Sequence, residues 1–102
     1  MINYDRIIKD CFWDIKTSKN EIDNIIQSDN QRKINMLFEK ILLNSTSLFN
    51  DLELFDKKQL LPLLEDYKIP MFNKEYNFRR KNMAEVYFFD KPLLIDELKW
   101  VA

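Results

Sequence analysis

The sequence contains no glycine and no histidine, and only one cysteine. Without glycine there is no Walker-type phosphate loop and no dinucleotide-binding turn, because both need glycine where the backbone turns tightly or approaches phosphate. Without histidine the commonest general base and zinc ligand is missing. The single thiol, Cys11, has no partner for an intramolecular disulfide, which suits a reducing cytoplasm. Long apolar runs are absent too: no stretch approaches the roughly 20 residues of a membrane helix, and polar residues interrupt the opening segment where a signal peptide would be apolar. An excess of charge of one sign is also lacking. Lys and Arg number 16 against 17 Asp and Glu, so no global field favours nucleic acid or an anionic membrane, and any such function must come from a local patch. The expectation is a cytoplasmic protein with no membrane span, no cofactor and no metal.

What is present points to an ordered domain. In 102 residues, 46% are hydrophobic and 14% aromatic, a composition that builds a core rather than a disordered tail. The clearest stretch is Gln31 to Ser45. Its apolar residues Ile34, Leu37, Phe38, Ile41 and Leu42 fall at i, i+3, i+4, i+7 and i+8, which predicts a helix burying one face. Tyr4, Ile7, Ile8, Cys11, Phe12 and Ile15 make a second helical stripe, with Phe12-Trp13-Asp14 ending it and Cys11 on the buried side. Ser18 and Glu21 fit a capping box ahead of Ile22, Ile25 and Ile26. Ser28-Asp29-Asn30 breaks that helix and caps the central one. Ser45-Thr46-Ser47 then leads into Leu48, Phe49, Leu52 and Phe55 at helical spacing.

Asp56 is a plausible N-cap for a further helix, but Pro62 falls beyond its first turn, where proline removes a hydrogen bond. Either that helix kinks, or Pro62 begins its regular part. Leu60, Leu61, Leu63 and Leu64 are core in both versions. Ile69-Pro70-Met71 forces extended backbone and sets off residues 70–102 as a distinct C-terminal segment of a single helical domain. Asn73 is positioned to cap a helix through Tyr76, Arg80, Met83 and Tyr87. Beyond it, Val86-Tyr87-Phe88-Phe89, Asp90-Lys91-Pro92 and Leu93-Leu94-Ile95 support two readings. One is all-α, a bundle of five to six short helices; the other is α+β, with a β-hairpin around Val86 to Ile95.

Candidate chemistry is sparse. The acidic neighbours Asp51 and Glu53, Glu65 and Asp66, and Asp96 and Glu97 sit at spacings that do not converge on one point of a helix, so they read as solvated surface. Ser45 and Ser47 have no histidine partner, and the expectation is a protein that is not an enzyme. The segment Asn73 to Asn82 differs, with Lys74, Arg79, Arg80 and Lys81 interleaved with Tyr76 and Phe78. Arginine pairs phosphate or carboxylate in bidentate fashion, and aromatic rings stack on bases or fill pockets, so the pattern suits a protein partner, nucleic acid, or an ordinary solvated face. Trp100, in the apolar tail Leu93 to Ala102, completes the candidate contact residues.

Phe12-Trp13-Asp14-Ile15, the Glu39-Lys40-Ile41-Leu42 helix end, Asp51-Leu52 and Arg79-Arg80 among aromatics together resemble the layout of small bacterial helical proteins that open with a Phe-Trp-Asp motif. Those proteins lie beside nucleotidyltransferase-like toxins of the abortive-infection class. The resemblance spans about Phe12 to Phe89 and implies an antitoxin partner, a protein-interaction module that binds and neutralises its toxin. Where those proteins carry glycine after the Ile/Val-Leu helix this chain has Asn44, which tolerates left-handed backbone at a C-cap.

Overall fold

The computed structural model describes residues 2–13, 16–28, 30–71 and 73–94, and every regular element among them is helical. Six helices follow in order: α1 (Tyr4–Cys11), α2 (Lys19–Gln27), α3 (Gln31–Asn44), α4 (Leu48–Leu52), α5 (Lys57–Asp66) and α6 (Lys74–Phe89). The chain is all-α. Val86 to Phe89 belong to the last turns of α6, and no strand occurs among the described residues. The hairpin alternative is thereby overturned. Two carbonyls explain why the aromatic run stays helical: Asp90 N–H donates to that of Val86 and Lys91 N–H to that of Glu85 (3.0 and 3.3 Å), closing the helix end.

The residues group into two compact units, 1–56 and 57–102. In the first, α1, α2 and α4 all pack on α3. Ile34, Leu37, Phe38, Ile41 and Leu42 are each buried, and burying a side chain of this size is worth about 1.5–3 kcal/mol. Around them lie Ile7, Cys11, Phe12, Ile22, Leu52 and Phe55, also buried. Phe55 meets Phe38 edge to face with ring centroids 6.1 Å apart. Ile8, Ile25 and Ile26 are half-buried, and Ile15 lies outside the described residues.

The helix starts follow local chemistry. Asn3 accepts from the N–H of Arg6, Ser18 from that of Glu21 and Asn30 from that of Lys33, each satisfying an otherwise orphaned donor. The Glu21 carboxylate reaches back to the Thr17 hydroxyl (3.3 Å). Asn44 does not take the left-handed conformation. It is the last residue of α3, its side-chain amide donating to the Lys40 carbonyl at 2.9 Å, while Ser45 turns extended.

Ser45-Thr46-Ser47 is more than a cap. Ser45 is buried and donates to the Asp51 carboxylate, which also receives the Arg6 guanidinium from α1. Thr46 donates through both its N–H and its hydroxyl to Asp10 of α1. The Ser47 side chain makes no cap bond to α4; instead its N–H donates to Ser45 Oγ at 3.0 Å. These bonds clamp the loop to α1. Asp51, expected at the surface, is fully buried, with its carboxylate taken up by the Arg6 guanidinium and the Ser45 hydroxyl.

In the second unit α5 packs with α6. The helix α5 runs continuously through Pro62, which faces solvent, while Leu60, Leu63 and Leu64 are buried and Leu61 is half-buried. Asn73, expected to cap α6 with its side chain, is left-handed (φ 49°) and makes no such bond. Asp90 at the other end is left-handed too (φ 53°), so in a chain without glycine both ends of α6 place Asn or Asp where glycine is usual.

Candidate interaction face

The helix α6 mixes polar and apolar residues on its inner side, where Phe78, Phe88 and Phe89 are half-buried, and it also sends large apolar side chains outward. Its fully buried residues are Asn77, Asn82 and Ala84. Tyr76, Met83 and Tyr87 face solvent, at 55%, 40% and 58% exposure. At about 100° per residue these three fall within a narrow arc, one stripe along the side opposite Phe78, Lys81 and Glu85. Arg79 flanks the stripe on one side and Arg80 on the other. Glu75 stands at its first turn.

The buried side is held by polar bonds. Asn82 donates through Nδ2 to the Pro92 carbonyl (3.1 Å) and accepts the Leu94 N–H at Oδ1 (2.6 Å). A second Nδ2 contact reaches Glu85 at 3.4 Å. An asparagine buried with its amide engaged in this way is satisfied rather than strained. The outcome is that residues 92–94 fold back along α6 on the Asn82 side and leave the Tyr76–Met83–Tyr87 side open to solvent.

On the open side Arg80 is pre-positioned. Its guanidinium carbon lies 5.5 Å from the Tyr76 ring centroid, and Nη1 donates to the Tyr76 hydroxyl at 3.3 Å. Cation-π contact and hydrogen bond together restrict the long side chain. Lys81, in contrast, is half-buried and paired with Glu85 at 2.9 Å.

The basic and aromatic residues singled out in the sequence are therefore divided. Tyr76, Arg79 and Arg80 share the outward side of α6. Lys74, Phe78 and Lys81 lie on the other, where Phe78 is half-buried. Trp100 lies outside the described residues, as do Asp96 and Glu97. Met83 and Tyr87 complete the stripe, and both were readable in the sequence as residues on one helix face; what periodicity does not reveal is which side of that helix is buried. Trp13, at the end of α1, is a further exposed aromatic (74%).

Among the described residues no three Cys, Asp or Glu side chains come together as a metal-binding group, and Cys11 is buried. No helix among them is long and apolar enough to cross a membrane. The structure thus defines an all-α protein carrying an aromatic, arginine-flanked helix face. Compared with family models, curated proteins and solved structures, the chain matches none.

Proposed function

We propose that the protein is a non-enzymatic protein-interaction module that uses the outward side of α6 as its contact face. The observation that carries this reading is the exposed stripe on α6: Tyr76, Met83 and Tyr87 point to solvent from one side of the helix. Tyrosine and arginine are the residues on which binding energy concentrates when a partner desolvates them. The resemblance centred on Phe12-Trp13-Asp14 supports an antitoxin-like protein acting in the bacterial cytoplasm on a nucleotidyltransferase-type toxin.

Nucleic-acid binding by Lys74 to Lys81 has less support. Four cations on one track would neutralise several phosphates, but Lys74 and Lys81 lie away from Arg79 and Arg80, and Lys81 is paired with Glu85.

The test is co-expression with the product of the adjacent gene. The two proteins are expected to co-purify and the chain to relieve any growth defect the neighbour causes. A Tyr76→Ser/Met83→Ser/Tyr87→Ser variant that keeps its helical circular dichroism is expected to lose both effects. Undiminished binding and neutralisation by that variant would remove the face from the proposal.

A further inference from the structure

The inner side of α6 holds a second contact, independent of the outward stripe. Asn82 is 1% exposed, and its amide takes main chain at both ends: Nδ2 donates to the Pro92 carbonyl at 3.1 Å, and Oδ1 accepts the Leu94 N–H at 2.6 Å. A carbonyl and the N–H two residues on are a pair that an extended segment turns to one side. The side chains of Pro92 and Leu94 are exposed, while that of Leu93 between them is half-buried. The seat therefore reads main-chain groups, with one apolar side chain between them. We infer that it is a docking site for extended peptide, filled in cis by residues 92–94, and that its second ligand is an extended segment of a partner protein with an apolar residue at the position of Leu93.

Two features make the cis occupant replaceable. Asp90, which turns the chain out of α6, is left-handed at φ 53°, a conformation that costs a residue with a Cβ. The ion pair of Lys91 with Glu65 of α5 is long, at 3.7 Å, and open to solvent on both partners, and pairs of that kind contribute little. When the strap leaves, Asp90 relaxes, and the Asn82 amide presents a donor and an acceptor that another extended segment satisfies with the same two bonds. Main-chain bonds then supply attachment and the middle side chain supplies selectivity, as in strand-like peptide recognition. A helix does not fit, because its interior carbonyls and N–H groups are already paired within it.

The probe is a peptide copy of residues 90–95, titrated into the full chain while the backbone amides of α6 around Asn82 are followed by NMR. Leu94→Pro removes the N–H that Asn82 accepts and is expected to free the strap, whereas Leu94→Ala keeps that N–H and is expected to leave it fastened. The peptide is expected to bind Leu94→Pro in about the millimolar range, the scale of effective concentration that a short tether supplies. It is expected to bind the native chain at least about tenfold more weakly, because the cis strap competes. Methylating the peptide nitrogen that stands for the Leu94 N–H is expected to abolish binding, as is adding Asn82→Ala to Leu94→Pro. Tyr76→Ser/Met83→Ser/Tyr87→Ser is expected to change none of this, so failure here leaves the outward face untouched.

A strap that Leu94→Ala frees as readily as Leu94→Pro overturns the inference, because the seat then reads a side chain. So does equal binding of the methylated and unmethylated peptides, equal binding to the native and Leu94→Pro chains, or no binding to a Leu94→Pro chain whose circular dichroism stays helical. If Leu94→Pro loses its helices, the native chain decides: peptide at several times its dissociation constant is expected to speed exchange of the Leu94 N–H with solvent severalfold, and an unchanged rate overturns the inference. A dimer in sedimentation that Asn82→Ala abolishes also overturns it, since the segment then comes from a second copy of this chain.

Discussion

Single side chains in the first unit hold a loop that no apolar contact would hold. The Asp51 carboxylate is fully buried against Arg6 and Ser45, and removing one member of a buried charge pair leaves the other without compensation. Arg6 keeps 26% of its side chain in solvent, which moderates the loss. Asp51→Ala is expected to cost about 2 to 4 kcal/mol, read from urea unfolding, whereas Glu53→Ala two residues on is expected to stay within about 0.5 kcal/mol. Asp10 makes a related prediction about pH. The Thr46 hydroxyl, then its N–H and the Arg6 charge, hold the Asp10 carboxyl below its ordinary value, against a desolvation that acts the other way. A depressed folded pKa means the unfolded chain takes up the proton first as pH falls, so this contribution is present above the ordinary carboxylate range and fades as pH drops through and below about 4. Thr46→Val is expected to lower stability at pH 7 and to narrow its gap from the native protein at pH 3; an equal deficit at both values would show that the Asp10 charge is not involved. Asp90 offers a gain instead. It pays for its left-handed backbone with a Cβ and adds a negative charge at the C-terminal end of α6, where the helix dipole disfavours it. Asp90→Asn should raise the thermal midpoint slightly and Asp90→Gly more, by at most about 1 kcal/mol.

Among the helices, α3 and α6 are opposites. The five apolar residues of α3 repeat at helical spacing and every one is buried, so Phe38→Ala is expected to cost about 3 to 5 kcal/mol. Arg32→Ala on its exposed side is expected to shift stability by about 0.5 kcal/mol or less. Similar thermal midpoints for the two variants would deny α3 its central place. That helix was fully legible because propensity, periodicity and burial agree in it. The agreement is weaker in α6, where buried asparagines share the inner side with Ala84 and half-buried phenylalanines while two tyrosines and a methionine lie outward. Periodicity identifies a helical face there, but with apolar residues on both sides of the helix it does not say which side is buried. Asp51 was hidden for another reason: read beside Glu53 it is a surface acid, and its buried partners Arg6 and Ser45 come from 45 and 6 residues away in the chain. The hairpin alternative rested on the β propensity of Val86 to Phe89, which the rest of a helix of 16 residues outweighs.

At the scale of the whole chain, the division between units falls at Asp56 and Lys57, upstream of Ile69-Pro70-Met71. Neither glycine, proline nor a change of composition marks that place, so only the packing of the helices reveals it. Charge balance also acts at this scale. With 16 basic and 17 acidic residues and only Arg79 and Arg80 of the basic segment on the outward side of α6, binding to an oligonucleotide is expected to be weak, with a salt dependence corresponding to about two phosphate contacts at most. A logarithmic slope several times steeper would mean that cations from elsewhere in the chain take part.

The Asn82 amide also leaves a signature that can be timed. The Leu94 side chain is half exposed and residues 90–94 form no regular structure, yet the Leu94 N–H is bonded to an asparagine that is itself 1% exposed. In deuterium exchange this amide is expected to outlast those of residues around it that lack such a partner. Asn82→Ala should make it exchange quickly while the amides in the middle of α3 keep their rates, so one isolated slow proton reports whether the chain beyond α6 is still fastened to it.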